Sequence, residues 1–348
     1  MGGSVFAILL KGKEEKNNEF VELVRGRFNE AWVNEGAELY MNCRLLQLDV
    51  PKEVASIEAV QAYKDYLKNI NNRTEWFLKA KDTSISVTKR KMEVEAAIKR
   101  AIAEDNFEVY YQPIYSTKKD KITSAEALLR LIDPELGFIP PDEFIVTAER
   151  NGSILEVGEI VFEKVCCFMQ KNDLQKFGIE YIEVNLSVIQ CLQESLAEKL
   201  IETMERYDIK SSRINLEITE TAANSSPKML TRNMEKLYRH GVSFSLDDFG
   251  SGYSNMGAIM ELPLDMIKFD KSMIDMLGTS SKGNIVFLSS VAMIKQMDMK
   301  IVAEGVETEE QKEIMEKAGV EYLQGYYFSR PVPGEDFLAY IREFNGQV

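Results

Sequence analysis

Val242-Ser243-Phe244-Ser245-Leu246-Asp247-Asp248-Phe249-Gly250-Ser251-Gly252-Tyr253 is the stretch on which the reading of the whole chain turns. Val242, Phe244 and Leu246 alternate with two serines, the period of a short buried strand. Asp247 and Asp248 follow where the chain gives way to a glycine-bearing turn. Carboxylates at that point are poised over a pocket. Farther on, Leu264-Asp265-Met266-Ile267-Lys268-Phe269-Asp270 repeats the device, a short apolar run ending in a lysine and an acid. Pro263 before it biases its neighbour toward extended geometry.

Working outward, the same signal recurs from residue 107 onward. Strand candidates at 107–114, 124–131, 181–186, 214–218, 243–246, 266–269, 300–303 and 322–324 alternate with helical patterns. The helical stretches are 141–151, 156–170, 187–207, 227–240, 284–297, 308–318 and 334–344. Eight strands with this many crossovers predict an α/β fold, a (β/α)8 TIM-like barrel. Only a short polar turn separates the first two strands, so a hairpin with one antiparallel strand is expected. The barrel takes residues 106–348 and a charged connecting helix takes 89–105. Residues 1–88 read as a small partial α+β domain, with strands at 2–10 and 44–50 and helices at 20–32 and 57–70. A strand starting near residue 5 without an earlier partner leads to the expectation that this domain is cut short.

Composition narrows the function. The 348 residues suffice for two domains or for one large barrel with an appendage, and 45% of them are hydrophobic, enough for a sizeable core. No run of 18 or more apolar residues is present, and the first apolar stretch lacks the flanks of a signal peptide. The expectation is a cytoplasmic chain, with a membrane-associated parent protein or an upstream sensory region left open. A formal charge of −14, from 56 acidic and 42 basic residues, argues against a DNA or RNA polymer as partner. It does not forbid a phosphate substrate, because bound divalent cations invert the local field. Cys43, Cys166, Cys167 and Cys191 show no CxxC spacing and fit a reducing compartment. His240 is the only histidine, so a metal site must be built from oxygen ligands, which favours Mg²⁺ or Mn²⁺ over structural zinc.

Glu126, Asn185, Glu217, Asp247, Asp248, Lys268, Glu304 and Gln324 lie in or just after the apolar runs. In a barrel the functional face is the C-terminal end of the strands. Polar groups in such places are poorly solvated unless something pairs with them. Oxygen ligands shared between two divalent cations would meet that need. Without cations the cluster repels itself.

These residues fall in words that resemble the EAL phosphodiesterase family of bacterial cyclic di-GMP signalling. In order they are Tyr111-Gln112-Pro113-Ile114, Glu126-Ala127-Leu128-Leu129-Arg130, Val184-Asn185-Leu186-Ser187 and Glu217-Ile218-Thr219-Glu220. Asp247-Asp248-Phe249-Gly250, Ile267-Lys268-Phe269-Asp270, Ala303-Glu304-Gly305-Val306-Glu307 and Gln324-Gly325-Tyr326 complete the set. The resemblance implies hydrolysis of cyclic di-GMP to linear pGpG with Mg²⁺ or Mn²⁺, two per site. It implies that Glu126, Asn185, Glu217 and Asp247 hold one cation, and that Asp247 and Asp248, with Glu304, hold the other. Lys268 then orients or deprotonates the attacking water, or acts as an electrostatic clamp. Gln324 positions water or supports the site, and Gln112 and Arg130 touch the substrate. Leu131 stands where the family often has tryptophan, and Ser251 where it has threonine. The alternative is a non-catalytic cyclic di-GMP receptor, and dimerisation through the barrel is expected in either case.

Gly2-Gly3-Ser4-Val5-Phe6 resembles the signature of a GGDEF diguanylate cyclase domain, with Ser4-Val5 in place of its two acids. That implies a degenerate remnant with a regulatory or dimerising role. Of the remaining candidates, Thr308-Glu309-Glu310-Gln311 reads as a helix cap, His240-Gly241 as a helix end, and Cys166-Cys167 as packing.

Overall fold

The computed structural model describes residues 8, 14–34, 37–39, 45–47, 77–79, 83–219, 227–250, 256–277 and 281–346. The chain divides into two compact units, Met1–Val94 and Glu95–Val348. In the first, a helix at Glu14–Asn29 precedes an antiparallel pair, β1 (Trp32–Asn34) and β2 (Ala37–Leu39). A parallel pair follows, β3 (Leu45–Gln47) with β4 (Phe77–Lys79). The helix expected over 20–32 therefore begins earlier and stops at Asn29. Trp32 leaves it because Trp32-Val33-Asn34, with a β-favouring pair at its start, finds a partner strand. The helix expected at 57–70 and the segment Gly2 to Phe6 lie outside the described residues. The charged run read from residue 89 belongs to a longer helix, Thr83–Glu104.

The second unit opens with a long hairpin of β5 (Phe107–Ser116) and β6 (Lys121–Asp133). Its strands outrun the expected spans because the pairing continues from Phe107↔Leu131 to Ser116↔Lys121. Asp120, at φ +53°, closes the turn. A short β7 (Gly137–Ile139) adds to the far end of β6. Six parallel strands come next: β8 (Tyr181–Leu186), β9 (Ile214–Thr219), β10 (Ser243–Phe249), β11 (Met266–Phe269), β12 (Lys300–Ala303) and β13 (Tyr322–Gln324). Their order runs β6-β8-β9-β10-β11-β12-β13, and β13 pairs antiparallel with β5, which closes the sheet on itself. The result is a closed eight-stranded mixed barrel in which β5 alone runs against the rest, the α/β fold the alternation predicts. A two-residue β14 (Val332–Pro333) extends β5.

Helices surround this barrel and bury one face each. Helix Ile154–Lys171 turns Val157, Val161, Val165, Cys166 and Met169 inward at three- and four-residue spacing. Phe168 and Phe337 stack on Tyr111 of β5, with ring centroids 4.3 and 5.5 Å away. Instead of one helix over 187–207 there are two, Val188–Cys191 and Leu196–Arg206. Ser187 and Gln190 form a capping box for the first, and the Asn233 amide donates to the carbonyls of Cys191 and Gln193, holding the break. The cap at Thr308 and Gln311 forms as expected. Cys166, Cys167 and Cys191 are free thiols, the first and last buried and Cys167 half-buried. No helix among the described residues is long and apolar enough to cross a membrane.

Candidate active site

Period-two alternation fixes which side chains reach the barrel interior. On β8, Tyr181, Glu183 and Asn185 share a face; on β9, Asn215 and Glu217 do. Register carries those faces across the sheet: Gln112 is paired with Glu126, Glu126 with Glu183, and Asn185 with Glu217. Strand register, antiparallel between β5 and β6 and parallel from β6 to β9, thus gathers residues remote in sequence in one part of the barrel.

Lys268, on β11, is wholly buried at the centre of the gathering. Its Nζ lies 2.5 Å from Glu217 Oε1, 2.6 Å from Glu304 Oε1, 3.3 Å from Glu126 Oε2 and 3.5 Å from Glu183 Oε2. Glu126 is held at both oxygens, by Asn185 Nδ2 at 2.7 Å and Gln324 Nε2 at 2.6 Å. Gln324 Nε2 also donates to Gln112 Oε1 at 3.0 Å, and Gln112 Nε2 donates to the Ser329 carbonyl at 3.2 Å. Both glutamines are thereby committed to fixing Glu126.

Charge at this density distorts ionisation. Burial pushes the Glu304 carboxyl up to about 8 and the Glu183 carboxyl up to about 7, even with Lys268 pulling the other way. Burial also lifts Glu217 well above its ordinary range. For Glu126 burial is again the largest influence, but Lys268 and the amide hydrogen bonds together outweigh it and hold the carboxyl low. Lys268 is the mirror case: burial favours its neutral form, and the surrounding glutamates override that and keep it charged.

One carboxylate oxygen each from Glu126, Glu217 and Glu304 lies within 4.8 Å of the others. Glu217 Oε2 is buried without a hydrogen-bond partner. A compact set of hard oxygen donors with an orphaned lone pair suits Mg²⁺ or Mn²⁺. Above the cluster opens a cavity of about 340 Å³ whose walls include Glu126, Asp247, Glu304, Gln324 and Tyr326.

The structure treats the remaining sequence candidates unequally. Asp247 lines the cavity. Asp248 is exposed at φ +60°, its N–H donating to Asp247 Oδ1 at 2.7 Å, where the pairing of β10 with β11 slips. Partial desolvation and the charge of Asp247 raise the Asp248 carboxyl even so. Arg130 donates to the Leu129 carbonyl, with its guanidinium carbon 5.3 Å from the Tyr110 ring centroid. The loop 251–255 lies outside the described residues. Glu183 is the group sequence reading missed. Its signal was its phase, two residues before Asn185 on the same inward face.

The family model for the EAL domain matches residues 95–331. Signaling protein YkoW of Bacillus subtilis is 33% identical over 254 residues, which are 73% of this chain and 32% of that protein. Cyclic di-GMP phosphodiesterase PdeL of Escherichia coli is 30% identical over 243 residues, 70% of this chain and 67% of that protein. Among solved structures, the PaMucR phosphodiesterase in complex with c-di-GMP superposes with a TM-score of 0.66 at 32% identity, covering 70% of this chain and 99% of that one. The chain spans about a third of the length of several curated relatives it matches, YkoW among them. On these grounds the chain belongs to the EAL domain family.

Proposed function

We propose that this chain hydrolyses one phosphodiester bond of cyclic di-GMP, giving linear pGpG, and that it needs divalent cations to do so. The observation that carries the reading is the convergence of Glu126, Glu217 and Glu304 on Lys268 at the floor of an open cavity. Every residue type such hydrolysis calls for is present there.

In this reading Glu126, Asn185, Glu217 and Asp247 hold one Mg²⁺ or Mn²⁺, and Asp247, Asp248 and Glu304 the second. Bound there, the cations would acidify a water molecule and neutralise charge growing on the phosphate. Gln324 and Asn185 lock Glu126 in one rotamer, so the ligand set needs little reorganisation. Lys268 orients or deprotonates the attacking water, or acts as an electrostatic clamp on developing negative charge. Gln112 supports Gln324 and meets substrate at the cavity wall. Arg130 offers a planar fork to a phosphate oxygen. A homodimer through the barrel and a degenerate GGDEF-like remnant over 1–88, joined by 89–105, complete the proposal.

Purified protein incubated with cyclic di-GMP and Mg²⁺, Mn²⁺, Ca²⁺ or chelator tests the reading. Metal-dependent release of pGpG supports it. Tight binding with no product over long incubation overturns it in favour of a receptor.

A further inference from the structure

Glu183 is fully buried, and neither of its carboxylate oxygens has a hydrogen-bond partner. Its Oε2 lies 3.5 Å from Lys268 Nζ, within ion-pair reach. It sits one inward position deeper than Asn185 on β8 and is absent from the cavity wall to which Glu126 and Glu304 contribute. Asn215, its register partner on β9, is turned to the serines of β10 instead. Asn215 Oδ1 accepts from Ser245 Oγ at 2.8 Å, and Asn215 Nδ2 donates to Ser243 Oγ at 3.1 Å. A buried carboxylate left this way is costly unless a cation needs it.

An ammonium has three N–H donors. The three nearest carboxylates to Lys268 are those of Glu126, Glu217 and Glu304, the same three whose oxygens converge as a candidate cation site. Oxygens engaged by divalent cations make poorer partners for a lysine, and the cations themselves repel it. Lys268 then has one carboxylate left that is out of the cations' reach.

We propose that Glu183 is a positioning residue for Lys268, the buried counter-charge that keeps the ammonium at the centre of the barrel while the other three glutamates serve the cations. The inference rests on the cation-site reading given above. Without Glu183, like-charge repulsion displaces Lys268 from the attacking water's position, and turnover suffers while substrate binding at the cavity wall does not.

Glu183→Gln, Lys268→Met and their double variant, made in the full chain, test this in two ways. In chelator at pH 8, Lys268→Met should lower the melting temperature by about 5 °C or more, because it strands buried carboxylates. Adding Glu183→Gln should then recover a clear part of that loss, and strictly additive shifts overturn the pairing. In saturating Mn²⁺, Glu183→Gln should lower kcat by about 10- to 100-fold with KM for cyclic di-GMP changed less than about 2-fold. Glu183→Asp should restore part of the rate, and the double variant should be no slower than Lys268→Met alone. Wild-type kcat in Glu183→Gln overturns the proposal. If the parent protein gives no pGpG at all, the functional reading fails, and the melting cycle still decides whether Glu183 and Lys268 are coupled.

Discussion

Lys268 Nζ lies 2.5 Å from Glu217 Oε1, and neither side chain is reached by solvent. Fifty-one residues apart in sequence, the two sit on strands separated by β10, and their ion pair crosses the barrel interior. A buried pair of this kind contributes little net stability while intact, but removing one partner strands the other at a cost of about 3–5 kcal/mol.

Lys268→Met is therefore expected to have two effects. Hydrolysis of cyclic di-GMP should fall by roughly 10²- to 10⁴-fold. Circular dichroism should still report a folded barrel at room temperature, with lower thermal stability in chelator. A wild-type rate in this variant would remove Lys268 from the reaction.

The three convergent glutamates make a prediction that needs no turnover. Glu126→Gln, Glu217→Gln and Glu304→Gln should each weaken Mn²⁺ binding by at least about 10-fold, as read by calorimetric titration of chelator-treated protein. Affinity unchanged in all three would disqualify the cluster as a cation site.

Stability should depend on pH in a defined window when cations are removed. The carboxyls of Glu183 and Glu304 are raised from 4.5 to about 7 and about 8, so the folded state retains protons that the unfolded chain releases. Between those limits the unfolded chain binds fewer protons, and stability falls as pH rises. The melting temperature in chelator should drop from pH 5.5 to pH 8 (about the window set by those shifts), and Mg²⁺ or Mn²⁺ should reverse the drop at the upper end. A melting temperature that rises across the interval would contradict the burial of these groups.

Gly325 follows Gln324 where two backbones nearly touch. A Cβ there would lie 2.0 Å from the Val306 carbonyl oxygen and 2.3 Å from its nitrogen. The same Val306 N–H donates to the Gln324 carbonyl, and its carbonyl accepts from Tyr327. Gly325→Ala should cost about 1–3 kcal/mol in denaturant unfolding. Through the displaced Gln324 it should also slow hydrolysis, and a fully stable, fully active Gly325→Ala protein would show that the Gln324 carbonyl contact is dispensable.

Much of this was legible in sequence because alternation is a local property. The runs around Phe244, Ile267 and Val302 announced strands, and polar residues in phase with their inward faces announced a site. Thr308 and Gln311 announced a helix start for the same reason, since a cap depends on four consecutive residues. The break between Cys191 and Leu196 was not legible, because the group that holds it is Asn233, 40 residues away from Gln193. Trp32 was likewise misplaced: its strand depends on meeting β2, and helical spacing alone says nothing of that meeting.

The sequence by itself determined which residues face the barrel interior, since a two-residue period sorts every strand into an inner and an outer set. It determined too that oxygen donors would dominate there, since His240 is the only histidine and the cysteines show no CxxC spacing. Only the tertiary structure decided which of those groups meet. Inter-strand register and closure of β13 onto β5 set the distances from Lys268 to Glu126, Glu183, Glu217 and Glu304, and register is a property of pairs of strands. That is why Glu183, one more inward-facing acid when read along the chain, proves in three dimensions to stand beside the lysine.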